Sequence, residues 1–263
     1  MQQVASLRYG VIFKKAFCDV EIFKAFVKDF LDIELEIDKV ETEKSFDPPI
    51  GNINSRFDLY AEDKKNRVIV DIQHRHYEDH YDRFLHYHCA AILEQASTSR
   101  GYSPAQTVFT IVVSTSGSKE DCVISEIRFD PTNFFTKQPL NKIHHRAIFL
   151  AAKYADKQLP EPYRQWLMMI EDSLDEQVDE SQYQKPEVLK VMNLIKRDGL
   201  TPDDRARIID EHSLQESIQK EKAEEFEKGF EKGEEKAKLD IAHKLKEQGM
   251  SSEMIEQLVG IKL

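Results

Sequence analysis

Two short alternating runs, Ile53 to Ala61 and Arg67 to Gln73, restrict the possible folds of this chain more than any other part of it. In the first, the odd positions Ile53, Phe57, Leu59 and Ala61 are apolar or small, and the even positions Asn54, Arg56, Asp58 and Tyr60 are polar or amphipathic. In the second the parity reverses: Val68, Val70 and Ile72 form an apolar face, while Arg67, Ile69, Asp71 and Gln73 share the other. Successive side chains point to opposite faces of a strand, so each run predicts a strand with one face turned to a core. The polar segment Asp63-Lys64-Lys65-Asn66 joins the two as a hairpin. Matching apolar face to apolar face requires the numbers of paired residues to add to an odd total, and closure around Lys64-Lys65 makes that total 129. Asp58 then stands opposite Asp71.

Like charges facing each other across a strand pair destabilise it unless something neutralises them. A divalent cation is the natural neutraliser, and Mg²⁺ favours one or two carboxylates completed by waters and phosphate oxygens. Asp58 and Asp71 are therefore candidate metal ligands, and Gln73, on the face of Asp71, is a candidate to hydrogen-bond an attacking water. The same spacing also fits two acids on a solvated strand face.

The flanking sequence predicts a mixed α/β domain. From Tyr9 to Leu31, apolar residues recur at three- and four-residue spacing through Phe13, Phe17, Phe23, Phe26 and Phe30, which predicts a core-packed helix. Leu35 to Phe46 alternates imperfectly and runs into Asp47-Pro48-Pro49 and Gly51, which reads as a strand leading to a loop. Tyr81, Phe84, Leu85, His88, Ile92 and Ala96 trace a helical stripe, with Arg83 and Tyr87 one turn apart. Thr107 to Thr115 is an apolar, β-branched run suited to a sheet centre, and further strands are expected at Cys122–Phe129 and Arg146–Tyr154. After Pro160 the pattern turns helical: Glu161 to Ser173, Pro186 to Lys196, and a capped start at Thr201-Pro202-Asp203-Asp204.

Charge separates the two halves. The net charge of −11 divides into −3 over residues 1–150 and −8 over residues 151–263. An acidic chain argues against broad, sequence-independent nucleic-acid binding but leaves room for a local basic rim beside a metal. Ser213 to Gln248 is dominated by Glu and Lys and holds the near-repeat Phe226-Glu227-Lys228-Gly229 and Phe230-Glu231-Lys232-Gly233. It reads as a solvated charged helix, or as an oligomerisation helix if Phe226 and Phe230 bury against a partner. Ser252 is expected to cap a last helix through Leu258, with Met254, Ile255, Leu258 and Val259 packing on Ile241 and Leu245.

Several chemistries lack support. No run approaches the roughly 18 apolar residues that span a bilayer, and the first residues lack a basic cluster followed by an apolar signal region, which leads to the expectation of a cytosolic protein without membrane contact. Cys18, Cys89 and Cys122 are odd in number and widely spaced, as expected for buried free thiols. Five of nine histidines, His74, His76, His80, His86 and His88, cluster together, and His76 with His80 has the spacing of a zinc pair. No third ligand follows at recognisable spacing, so histidines lining a nucleic-acid groove or the solvent are the preferred reading. Nucleophile elbows, phosphate-binding loops and dinucleotide fingerprints are missing from the sequence.

The segment Phe13-Lys14-Lys15, the run Phe57-Asp58-Leu59-Tyr60 with Asp71-Ile72-Gln73 after a polar turn, Arg83 with Tyr87, and Gly101-Tyr102 before the apolar strand together resemble the Rpn family. These are recombination-promoting nucleases and related transposases of the PD-(D/E)XK superfamily. The resemblance implies a restriction-endonuclease-like αβββαβ core with a mixed central sheet, Mg²⁺-dependent hydrolysis of DNA phosphodiester bonds, and a role in recombination or transposition. By the same resemblance Asp58 matches the first metal-binding aspartate, Asp71 the second acid and Gln73 the superfamily lysine, while Lys14, Lys15 and Arg83 are candidate phosphate contacts. Three departures stand out. Asp71 is one methylene shorter than the usual Glu, Gln73 carries no charge, and an acid often found before Phe-Lys-Lys is replaced by Tyr9-Gly10. The expected organisation is a nuclease-like domain over residues 1–155, a helical extension over 156–212 and a charged helix with a short terminal helix over 213–263. The alternative to an endonuclease is a nuclease-fold protein without turnover that acts as an oligomeric interaction module through its C-terminal helices.

Overall fold

The computed structural model describes residues 1–46, 55–74, 80–96, 103–117 and 122–261. The expected loop at Asp47–Gly51, the first two residues of the Ile53 run, His76 and the Gly101-Tyr102 pair lie outside them. In chain order the elements are β1 (Gln2–Gln3), α1 (Gly10–Phe17), α2 (Val20–Leu31), β2 (Glu41–Phe46), β3 (Ser55–Glu62), β4 (Asn66–Gln73), α3 (His80–Ala96), β5 (Thr107–Ser114), β6 (Ile124–Arg128), β7 (Arg146–Ala151), α4 (Tyr163–Asp172), β8 (Gln177–Val178), α5 (Pro186–Leu194), α6 (Pro202–Glu247) and α7 (Ser252–Val259). The described residues form two compact units, Met1–Ile208 and Ile209–Leu263.

The first unit is built on a mixed six-stranded sheet of order β2-β3-β4-β5-β7-β6. β3 pairs antiparallel with both β2 and β4, whereas β4, β5 and β7 run parallel to their neighbours in that series. β6 closes the far edge antiparallel to β7. β5 lies in the interior, and its alternating residues feed two different cores. Phe109, Ile111 and Val113 join the larger core with Leu59, Ala61, Val68 and Val70 of the hairpin and Phe13, Phe17, Phe26 and Trp166 from the helices. Val108 packs with Tyr60, Ile69 and Ala91, and Val112 with Phe84, Ala147 and Phe149, beneath α3. Burial on both faces explains the continuous apolar run of this strand.

The helix expected over Tyr9–Leu31 is two helices. Asp19 interrupts it, its side chain accepting from the N–H groups of Glu21 at 3.1 Å and Ile22 at 3.2 Å as the N-cap of α2. Such a cap contributes about 1 kcal/mol. The apolar period runs through the break because both helices pack on the same core, with Phe13 stacked on Phe17 and Phe17 edge-on to Phe26. Further along, the strand expected from Leu35 begins only at Glu41, and the one expected over Arg146–Tyr154 ends at Ala151 in a turn of 3₁₀ helix. Of the thiols, Cys18 and Cys89 are half-buried and Cys122 is exposed, so the expectation of three buried thiols fails at Cys122.

In the second unit, α6 runs unbroken through Gly229 and Gly233, and a Cβ added at either would meet nothing within 4 Å. Ser251, not Ser252, caps α7, accepting from Met254 N–H. Ala242 and Ile255 are fully buried, while Ile241, Met254 and Leu258 face outward, so the terminal hairpin closes on a smaller face than the sequence suggested. Among the described residues no helix is long and apolar enough to cross a membrane.

Candidate active site

The hairpin has the register expected from its alternation. Glu62 pairs with Arg67, Ala61 with Val68, Tyr60 with Ile69 and Leu59 with Val70. Beyond Leu59 and Val70 the ladder stops, and the side chains of the next two residues take over its hydrogen bonds. Asp58 N–H donates to Asp71 Oδ1 at 2.8 Å, and Ile72 N–H donates to Asp58 Oδ2 at 3.0 Å. Each carboxylate thus accepts from the opposite strand. β4 keeps its alignment because β5 pairs with it as far as Gln73 and Ser114.

The opening has a counterpart on the other side of β3. Thr42 pairs with Leu59 and Lys44 with Phe57, so the β2–β3 ladder omits Glu43 and Asp58. Glu43 has φ +57°, a left-handed conformation that non-glycine residues avoid. Past this irregularity Phe57 packs with Phe46, Tyr60 and Tyr87, not with Leu59 and Ala61. The apolar face assigned to the odd positions of β3 is therefore broken at Phe57. A residue skipped in the ladder changes which face the following side chains occupy.

Asp71 is 4% exposed, and among the described residues its Oδ2 accepts no hydrogen bond. Burial, followed by the charge of Asp58, raises its pKa well above the ordinary carboxylate range. A buried carboxylate oxygen without a partner is costly in a finished core, and it is the kind of atom a cation satisfies. Among the described residues no three His, Cys, Asp or Glu side chains gather closely enough to hold a metal. The candidate donors are the two carboxylates of Asp58 and Asp71, a set that suits a hard cation that keeps waters or takes phosphate oxygens to complete its shell.

Cationic and polar groups border the acids. Gln73 is 8% exposed, and its Oε1 accepts from Arg83 Nη1 at 3.5 Å. Arg83 in turn donates to Tyr87 Oη at 3.5 Å and lies over the Phe84 and Tyr87 rings. Tyr87 itself packs edge-on to Phe57 and Phe84, so it braces Arg83 from within a packed cluster. From the opposite side α1 brings Lys14, whose Nζ pairs with Glu43 Oε1 and lies 3.3 Å from Asp58 Oδ1. Burial alone would lower the Lys14 pKa, but hydrogen bonding to Glu43 and the charges of Asp58 and Glu43 raise it overall. Lys15 pairs instead with Asp204 at the start of α6. Of the six residues singled out from the sequence, the structure gathers Asp58, Asp71, Gln73, Arg83 and Lys14 and turns Lys15 elsewhere. Glu43 was missed. Its only trace in the sequence is the imperfect alternation before Phe46.

One histidine of the cluster departs from the expectation of a groove or solvent position. His88 is fully buried, bonded to Thr110 Oγ1 at 2.8 Å and stacked on Phe129, and burial followed by the nearby His145 lowers its pKa to about 3. His80 packs against Tyr81, Phe84 and Phe149. His88 is thus a core residue that lines neither a groove nor the solvent, whereas His80 is half-buried. His76, one of the two histidines with zinc-pair spacing, lies outside the described residues.

Searches of curated proteins and of solved structures returned no match. A family model described as PD-(D/E)XK nuclease family transposase matches residues 11–225, a span that holds the whole sheet, both hairpin acids, Gln73, Arg83 and Lys14. With a mixed sheet of this topology and most of its length matched, the chain belongs to the PD-(D/E)XK nuclease family transposases.

Proposed function

We propose that this protein is a Mg²⁺-dependent DNA endonuclease that acts in the cytoplasm in recombination or transposition. The observation that carries the reading is the open end of the hairpin, where two facing carboxylates interrupt the ladder and one buried oxygen of Asp71 accepts no hydrogen bond. Asp58 and Asp71 would hold the cation, which when bound supplies Lewis acidity to a phosphate oxygen and lowers the pKa of a water. Gln73, fixed on β4 beside Asp71 and bonded to Arg83, orients the attacking water. Arg83 and Lys14 flank the acids and contact the phosphates of the substrate. Such contacts position a duplex without reading its sequence. This local pair of cations reconciles a domain of net charge −3 with a polyanionic substrate.

The test is incubation of the purified protein with supercoiled plasmid, with and without Mg²⁺. Nicked and linear products should form only with the metal, and neither Asp58→Asn nor Asp71→Asn should form them. A wild type that cuts no DNA form and binds no divalent ion overturns the reading in favour of an interaction module without turnover. Self-association through the C-terminal helices is proposed separately, on the exposure of Phe226 at 76% and Phe230 at 65%. Removing residues 213–263 should lower the number of chains per particle in solution, and an unchanged number removes that proposal.

A further inference from the structure

Lys14 and Lys15 are neighbours in α1, yet their charges serve different ends. Lys15 reaches Asp204. Lys14, with a side chain 20% exposed, is turned onto the sheet and bridges Glu43 and Asp58. Glu43 is what keeps it there. That residue adopts φ +57° inside an otherwise paired strand, and its carboxylate is clamped from two sides, by Lys14 and by Arg56. Strained backbone of this kind persists only where surrounding contacts over-determine it, and it concentrates at functional sites. Position 73, meanwhile, is a neutral glutamine, so β4 contributes no positive charge beside Asp71.

We propose that Lys14, carried by α1, is the catalytic cation that meets the scissile DNA phosphate, and that Glu43 is the positioning residue that holds it over Asp58. The proposal rests on the nuclease reading above. It has a consequence that a merely structural lysine lacks. The ammonium that neutralises Asp58 in the metal-free protein also opposes a divalent ion at the same carboxylate, because the two charges have the same sign. Removing it should move metal affinity and turnover in opposite directions.

The experiment titrates Mg²⁺ alone into the full-length protein, follows binding by calorimetry and by the melting midpoint, and measures plasmid nicking in parallel. Lys14→Met should tighten Mg²⁺ binding by about tenfold while slowing cleavage at saturating Mg²⁺ by at least about tenfold. Lys14→Arg, which keeps the charge, should return Mg²⁺ affinity to the wild-type value and restore part of the cleavage. Glu43→Gln should lower kcat with little change in KM, and in the Lys14→Met background it should slow cleavage no further, since it acts through Lys14. If Lys14→Met does not fold, Lys14→Gln, which retains a polar partner for Glu43, carries the same expectations. Unchanged or weaker Mg²⁺ binding without the lysine charge, or undiminished cleavage, overturns the assignment of Lys14 and leaves the nuclease reading standing. A wild type that neither binds Mg²⁺ nor nicks DNA overturns both, so the two failures are distinct.

Discussion

The two ends of the β3–β4 hairpin both bury charge, and they treat it in opposite ways. At the turn end the buried Arg67 guanidinium donates to Glu62 Oε2 at 3.0 and 3.1 Å, to Glu94 Oε2 at 2.6 Å and to the Ala91 carbonyl at 3.0 Å. The same group lies over the Phe46 and Tyr60 rings. Beside it Asp63 accepts from the N–H groups of Lys65 and Asn66 at 2.7 Å each and of Glu36 at 3.1 Å. At the open end, two turns of the pleat away, Asp71 has another acid for a neighbour and one oxygen with no hydrogen bond. A network with its polar atoms satisfied stabilises a fold, whereas one left incomplete marks where a protein gives up stability for function. One hairpin therefore serves as both brace and site.

The largest effect expected from breaking this contrast is catalytic. Asp58→Asn or Asp71→Asn should reduce plasmid nicking by at least about a hundredfold, with circular dichroism unchanged. A variant that keeps most of its activity would detach the chemistry from the open end. Next in size is Arg67→Met, which removes the cation that Glu62 and Glu94 share and should cost about 2 kcal/mol, less than for fully buried partners because both carboxylates retain some access to water. Urea unfolding measures this, and nicking per folded molecule should be unaffected.

Asp63→Ala should cost about 1–2 kcal/mol. Burial would raise the pKa of Asp63, but the N–H groups it accepts from lower it overall. Its contribution is therefore present above the ordinary carboxylate range and lost as pH falls through the depressed native value. The deficit of the variant should shrink in acid. The smallest effect belongs to Asp71 and has the opposite sign. With a raised native pKa, the folded protein holds more protons than the unfolded chain between the ordinary carboxylate value and the raised one, so stability falls as pH rises through that window. Without metal, Asp71→Asn should be at least as stable as wild type at neutral pH, and any advantage should vanish below the ordinary carboxylate range. A variant clearly less stable at neutral pH would show that the open end is as much a brace as the turn.

Much of this site was legible in the order of residues because its geometry is local. The register that sets Asp58 against Asp71 follows from two alternating runs and a short turn, and it holds through the four pairs from Glu62–Arg67 to Leu59–Val70. Arg83 and Tyr87, one helical turn apart, meet as their spacing requires. The split of the first helix was hidden, since the apolar residues before and after Asp19 pack on one core and keep a common period. The burial of His88 was hidden for a related reason. It lies on a stripe that was visible, but whether that stripe meets solvent or Thr110 and Phe129 depends on elements distant in the chain.

What the sequence determined by itself is the hairpin, its register and the pair of acids, because strand period and turn length act between near neighbours. Tertiary structure decided which cation attends them. Lys14 and Lys15 are the same residue type in adjacent positions, yet one faces Asp58 and the other Asp204, a choice made by the rotation of α1 against the sheet. It also decided the place of Glu43, whose left-handed backbone answers to the omitted pair at Asp58 and to two cations at once. Charges act through space, and their effect depends on distances that no periodicity along the chain records.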